Sequence, residues 1–166
     1  MAPKHLALLR HAKSSWSDPH LDDHDRPLTP RGHRAATRLG LYLRQEGIQP
    51  DLVLCSSAAR ARQTLGLLGL ATEPEVLVED ELYAAAATML LARLRRVSET
   101  AQSVLLIGHN PGIQDAAISL ASDPEELVGK FPTAALADLR LTIVTWKELC
   151  PGIARLHALV VPRNLR

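Results

Sequence analysis

The chain has 166 residues, 46% apolar and 22% charged, the proportions of one ordinary domain large enough to bury a core. A net charge of +1 carries no long-range field, and aromatics at 3% leave few stacking platforms, so a dedicated nucleic-acid or membrane-surface binder is not expected. Cys55 and Cys150 are too few for a disulfide framework and lack metal-ligand spacing, the opening apolar stretch is too short for a signal peptide, and no run nears the ~18 residues of a membrane span; the expected compartment is reducing and cytoplasmic.

The first aliphatic run, HLALLR (5–10), predicts a strand that ends on Arg10 and His11. In PHLDDHD (19–25), His20 and His24 stand among three aspartates. The cluster has the look of a metal site, but it is proline-flanked and lacks tetrahedral-site spacing, so a solvated or lid-like loop is expected and no metal is assigned. Thr29 can cap a helix that has Pro30 in its first position and Gly47 at its end. Along that helix Ala35, Ala36, Leu39 and Leu43 make one apolar stripe. Arg31, Arg34 and Arg38 fall on another face, which reads as solvated surface in preference to a substrate contact.

DLVLCS (51–56) predicts a second strand with Cys55 in its core, running into Ser56 and Ser57 and then a helix over 57–70 that carries Arg60. EVLVED (75–80) predicts the third strand, followed by a helix over 85–97. SVLLIG (103–108) predicts the fourth, ending in Gly108, His109 and Asn110, with a helix over 111–121 that Asn110 caps and Pro111 begins. Two late runs, ALADLRLTIV (135–144) and IARLHALVV (153–161), predict an antiparallel pair joined by a loop containing CPG. With no repeat, low-complexity tract or linker, residues 1–166 read as one domain. The expected fold is a three-layer α/β/α sandwich with a mostly parallel central sheet and antiparallel C-terminal strands.

Ligands of open α/β sheets sit outside the carboxyl ends of the strands, where loops from several strands meet. Three of the four early strands end there in groups suited to an anion: Arg10-His11, Ser56-Ser57 with Arg60 behind, and Gly108-His109-Asn110. With Ser57 as N-cap, Arg60 takes the third helical position, where the helix dipole disfavours a cation. Either a bound anion lies between Arg60 and the helix N–H groups, or Arg60 extends into water. His109 is open to the same choice between a packed structural histidine and a pocket group. Two arginines and two histidines gathered in an empty site would repel one another, and a phosphate would remove that strain. No G-x-x-x-x-G-K-[ST], G-x-G-x-x-G or G-x-S-x-G occurs, so neither a nucleotide loop nor a serine-hydrolase elbow is available.

LLRHAKSSW, SSAARARQT, ELY and LLIGHNPGI, in this order, resemble the histidine phosphatase superfamily, specifically its SixA-type phosphohistidine phosphatase branch, over roughly residues 5 to 121. The resemblance implies His11 as nucleophile, Arg10 and Arg60 as phosphate-binding arginines, and His109 as a second, cationic pocket histidine. Ala12 stands in place of the glycine of the family's RHG motif, and Arg62 receives no role. Ser17 falls where many relatives carry a phosphate-contacting asparagine, and with Asn110 it is expected on the substrate side. Glu81, preceding Leu82 and Tyr83, ranks ahead of Glu79 and Asp80 as proton donor. The segments between the motifs are short, leaving little room for insertions that cap the pocket. The implied activity is cofactor-free hydrolysis of phosphohistidine on a partner protein in signal transduction, with neither nucleic acid nor membrane involved. A small-molecule phosphomonoesterase or a non-catalytic phosphate-binding module stands as the alternative.

Overall fold

Strand β1 (Lys4–Arg10) alternates side chains between two faces, and both faces are apolar, which a strand tolerates only when helices cover it on both sides. In the computed structural model, which describes residues 3–165, that is its position. The other strands are β2 (Leu52–Ser56), β3 (Glu75–Glu79), β4 (Ser103–Gly108), β5 (Leu136–Leu141) and β6 (Ala154–Val160). They form one six-stranded sheet in the order β3-β2-β4-β1-β5-β6, parallel from β3 to β1, with β5 antiparallel to β1 and β6 antiparallel to β5. The expected α/β sandwich and its antiparallel C-terminal pair are therefore present.

Helices α1 (Pro30–Gln45) and α2 (Ala59–Leu68) lie on one face, where Leu39, Leu43 and Leu68 pack with Ala7 and Leu9 of β1. Helices α3 (Ala87–Arg95), α4 (Gly112–Leu120) and the short α5 (Glu125–Val128) lie on the other, where Leu90, Leu94 and Ile113 pack with Leu6 and Leu8. Truncating a fully buried leucine such as Leu8 to alanine costs about 2–5 kcal/mol.

Helix α1 starts as its sequence predicts: the Thr29 side chain accepts from the Gly32 N–H at 3.0 Å and Pro30 fills the first position. It ends two residues before Gly47, which takes a positive φ of 67° that a glycine adopts without penalty; Ile48 then reaches back to the Leu43 carbonyl and Gly47 to that of Arg44. Two other starts differ from expectation. Helix α2 is capped at Ala58, not Ser57, so Arg60 is its second residue. Helix α4 begins at Gly112 with Pro111 as N-cap; Asn110 accepts from the Gln114 N–H from one position further out. Among the described residues no helix is long and apolar enough to cross a membrane.

Candidate active site

After β1 the chain crosses to the α1 face, and after β4 it crosses to the α4 face. These two strands are neighbours, with Arg10 opposite Gly108, so their outgoing loops diverge and leave a crevice at the carboxyl edge of the sheet. A pocket of about 190 Å³ opens there, lined by Arg10, His11, Ser14, Arg26, Arg60 and His109 among others. Its floor is fixed from below. The Ala134 N–H bonds the carbonyls of both Arg10 and His11 at 3.0 Å, and the Ala12 N–H bonds the Thr64 hydroxyl at 3.0 Å. Ala134 holds a φ of 63°, a left-handed conformation that a β-carbon disfavours, so the surrounding packing sustains local strain beside the pocket.

His11 is buried, and its Nδ1 lies 2.7 Å from the Ala12 carbonyl. A carbonyl only accepts, so Nδ1 carries the proton and Nε2 keeps a lone pair. That lone pair accepts a long hydrogen bond from Arg60 Nε at 3.3 Å. Burial, joined by the positive charges of Arg60 and Arg10, pushes the His11 pKa down to about 4. The His109 ring is centred 5.0 Å from that of His11, and its Nε2 bonds the buried Ser56 hydroxyl at 2.7 Å. Burial and the neighbouring His11 and Arg60 lower His109 to about 3. Burial and the clustering of these cations therefore hold both imidazoles toward the neutral form, where the sequence reading expects His109 to carry charge as it meets a phosphoryl group. His109 Nδ1 and Arg10 Nε are buried without a hydrogen-bond partner.

The charge opposite Arg60 comes from the acidic loop. Arg60 donates to the Asp23 carbonyl at 2.7 Å and to its carboxylate at 3.0 Å, Arg26 pairs with the same carboxylate at 3.0 Å, and the Tyr83 hydroxyl donates to it. The Tyr83 bond first, then Arg60, hold Asp23 down to about 2. His24 bonds the Ser57 hydroxyl at 2.8 Å. The expectation of a solvated loop fits its exposed residues, but Asp23 and His24 are also tied to Arg60, Arg26, Tyr83 and Ser57 beside the pocket.

The structure thus brings Arg10, His11, Arg60 and His109 together, as the strand-end reading expects. Asn110 lines the same pocket, but its amide is committed to the Phe131 carbonyl at 3.1 Å and to Gln114. Phe131 also receives Arg10 at 3.0 Å, so Asn110 helps fix the carbonyl that aims this arginine. Ser17 does not line the pocket; it is exposed and bonded to Ser15 at 2.9 Å, and Ser14 occupies the wall instead. Glu81 also lies outside, ion-paired with Arg96 at 2.9 Å and Arg93 at 3.3 Å. Lys13, Ser14, Asp23, Arg26 and Tyr83 went unassigned in the sequence. Of these, the Asp23–Arg26 pair had a signal, opposite charges three residues apart. Arg26 also stacks 3.4 Å above the exposed Trp16 ring.

Comparison with known proteins agrees with this geometry. The family model "Histidine phosphatase superfamily (branch 1)" matches residues 6–87. A protein of Mycobacterium tuberculosis (strain H37Rv) is 40% identical over 162 residues, covering 93% of this chain and all of that one. Among solved structures, a Nakamurella multipartitia chain proposed to be a phosphohistidine phosphatase SixA superposes with a TM-score of 0.87 at 35% identity, covering 96% of each chain. The protein histidine phosphatase SixA complexed with tungstate superposes with a TM-score of 0.82 at 26% identity, covering 98% of this chain and 99% of that one.

Proposed function

This chain belongs to the histidine phosphatase superfamily, and on that premise we propose that it removes the phosphoryl group of phosphohistidine on a partner protein through a covalent intermediate on His11, without a metal ion. The observation that carries this reading is the fixed tautomer of His11, whose Nδ1 proton is given to the Ala12 carbonyl so that Nε2 offers a lone pair inside a cationic pocket. The SixA relative's complex with tungstate, a tetrahedral oxyanion, adds support.

In the first step the Nε2 lone pair attacks phosphorus and the P–N bond to the substrate imidazole breaks. An entering phosphoryl oxygen takes over the bond that Arg60 Nε now makes to Nε2. The unpartnered Arg10 Nε donates to another oxygen, and His109 Nδ1 does the same in the tautomer whose Nε2 accepts the Ser56 hydroxyl; both then stabilise negative charge as the group passes in line. A substrate imidazole protonated on its far nitrogen departs neutral and needs no acid from the enzyme. In the second step water attacks phosphorus, the bond to His11 breaks, and inorganic phosphate leaves with the His11 tautomer restored.

An ester would need a proton for its alkoxide. Asp23 is the carboxylate beside Arg60, and at a pKa of about 2 it stays ionised and has no proton to give. This favours the phosphoramidate over a phosphate ester. The test is a brief quench with a protein carrying labelled phosphohistidine. Acid-labile label is expected on His11 of the wild type and on no residue of His11→Ala, which also loses turnover. Retained turnover in His11→Ala overturns the nucleophile, and equal rates on a sugar phosphate and on the phosphoprotein overturn the substrate class.

A further inference from the structure

Helix α1 carries cations where helix physics prefers carboxylates. Its first turn has no acidic residue, Arg31 is its second residue, and Arg34 stands three residues from Arg31 and four from Arg38, like charges at spacings that repel. All three are exposed, and they border a groove of about 400 Å³ whose lining also includes Lys13, Arg163 and Thr133 and contains no acidic residue. Among the described residues none of these five cations makes an ion pair. Arg38 gives only a 3.4 Å hydrogen bond to the Pro162 carbonyl. In a chain whose net charge is +1, this is charge segregated onto one groove.

The groove opens directly onto the active site, since Lys13 and Thr133 line both. The junction is rigid: a β-carbon on Gly32 would stand 2.2 Å from the Lys13 carbonyl oxygen, so the first turn of α1 is pressed against the loop that follows His11. Inside the pocket the arginines gather on one point, as a phosphoryl group requires. Along α1 they stand in file over about 10 Å of helix, a geometry for a series of separate negative charges. Carboxylates four residues apart on a helix, with β-carbons about 6 Å apart, match that spacing.

We propose that this groove receives an acidic segment of the phosphorylated partner protein, its carboxylates pairing in sequence with Lys13, Arg31, Arg34 and Arg38 while the phosphohistidine enters the neighbouring pocket. The proposal rests on the phosphatase reading for its substrate, but the docking surface can be tested apart from it. Rows of exposed cations speed encounter and select partners by charge, and salt weakens them.

Two synthetic peptides are compared, each with one phosphohistidine, flanked by four glutamates in one and by four glutamines in the other. At ~0.05 M salt the wild type is expected to favour the glutamate peptide by about tenfold in kcat/KM, mainly through KM, and to lose most of that preference near 0.5 M salt, where the screening length is about 4 Å. In the combined variant Arg31→Gln, Arg34→Gln, Arg38→Gln, the loss on the glutamate peptide should exceed the loss on inorganic phosphoramidate by about the same factor. Equal kcat/KM for both peptides in the wild type, or a preference that survives in the variant, overturns the proposal. Fluorescent unphosphorylated peptides separate it from the phosphatase reading. Glutamate-dependent binding that disappears in the variant supports the groove even with neither peptide turned over, whereas turnover without such binding overturns the groove alone. Tighter binding of single-stranded DNA of equal charge, or of phosphatidylglycerol vesicles, than of the glutamate peptide overturns the assignment to a protein segment.

Discussion

The two ends of β1 each carry a cation with polar atoms withdrawn from water, and they treat it in opposite ways. At the amino end Lys4 is 2% exposed, and its ammonium lies 3.3 Å from Glu99, 3.5 Å from the Ala101 carbonyl and 5.3 Å from the Trp146 ring centre. Glu99 in turn accepts from the Trp146 backbone N–H at 2.9 Å, and the Trp146 indole donates to Ala101 at 2.8 Å. At the carboxyl end the Arg10 side chain makes, among the described residues, one hydrogen bond, to the Phe131 carbonyl, and its Nε is left buried and unpartnered, as is His109 Nδ1. A buried polar group without a partner costs about 1–3 kcal/mol, so the carboxyl end is held in place by the rest of the fold. The lesson is that burial of charge alone does not mark a site. What separates the structural cation from the one proposed to bind phosphate is whether the chain itself supplies its partners.

Exchanging each cation for alanine tests that distinction most sharply. Arg10→Ala is expected to reduce phosphohistidine turnover by about 10²–10³-fold, the scale of losing one preorganised donor, while leaving the thermal midpoint unchanged or raised. Lys4→Ala should do the reverse, lowering stability by about 1–3 kcal/mol with turnover per folded molecule preserved. Thermal unfolding and single-turnover rates on both variants decide the matter. A destabilised Arg10→Ala or a thermally silent Lys4→Ala breaks the contrast between the ends.

Acid should attack the carboxyl end first. The folded-state pKa of His11 is about 4, below the ordinary 6.5, with burial the leading cause and Arg60 and Arg10 adding to it. Between those two values the unfolded chain binds the proton that the folded chain refuses. The contribution is thus complete above pH 6.5 and is lost as pH falls toward 4, by roughly 1.4 kcal/mol per unit for this one residue. His109, lowered to about 3, acts in the same direction and is coupled to it. Urea unfolding from pH 7 to pH 4 should therefore show a steeper loss of stability in the wild type than in His11→Ala. Parallel curves would place the acid-sensitive groups elsewhere.

Much of this end was legible in the sequence because it depends on local rules. Strand runs, helix start signals and the rule that ligands sit outside the carboxyl ends of the strands together point Arg10, His11, Arg60 and His109 to one crevice. What escaped depends on partners distant in the chain. Asp23 is an exposed loop residue in sequence and structure alike, and only Arg60, 37 positions on, and Tyr83, 60 positions on, tie its carboxylate to the site. The α2 cap falls at Ala58 and not Ser57 because Ser56, bonded to His109, also receives the Ala58 N–H at 3.3 Å. No local preference of Ser57 reports that contact.

Glu81 shows the same limit. Its place before Leu82 and Tyr83 suggests a proton donor, but three successive acidic residues, Glu79, Asp80 and Glu81, enter a tight 3-10 turn (Asp80–Leu82), and the cations at the end of α3 and just past it decide where Glu79 and Glu81 point. Arg93 takes Glu79 at 2.7 Å, and Arg96 takes Glu81 at 2.9 Å with Arg93 at 3.3 Å. Both partners of Glu81 hold it away from the crevice, and as a half-exposed surface pair it contributes about 0–1 kcal/mol. Glu81→Gln should therefore alter the hydrolysis of phosphohistidine and of a sugar phosphate alike by less than about twofold, and stability by less than about 1 kcal/mol. A selective loss on the ester would mean that Glu81 leaves Arg96 and swings into the pocket when substrate is bound. The carboxyl end of the sheet would then complete itself with a group that otherwise sits in an ion pair with Arg96.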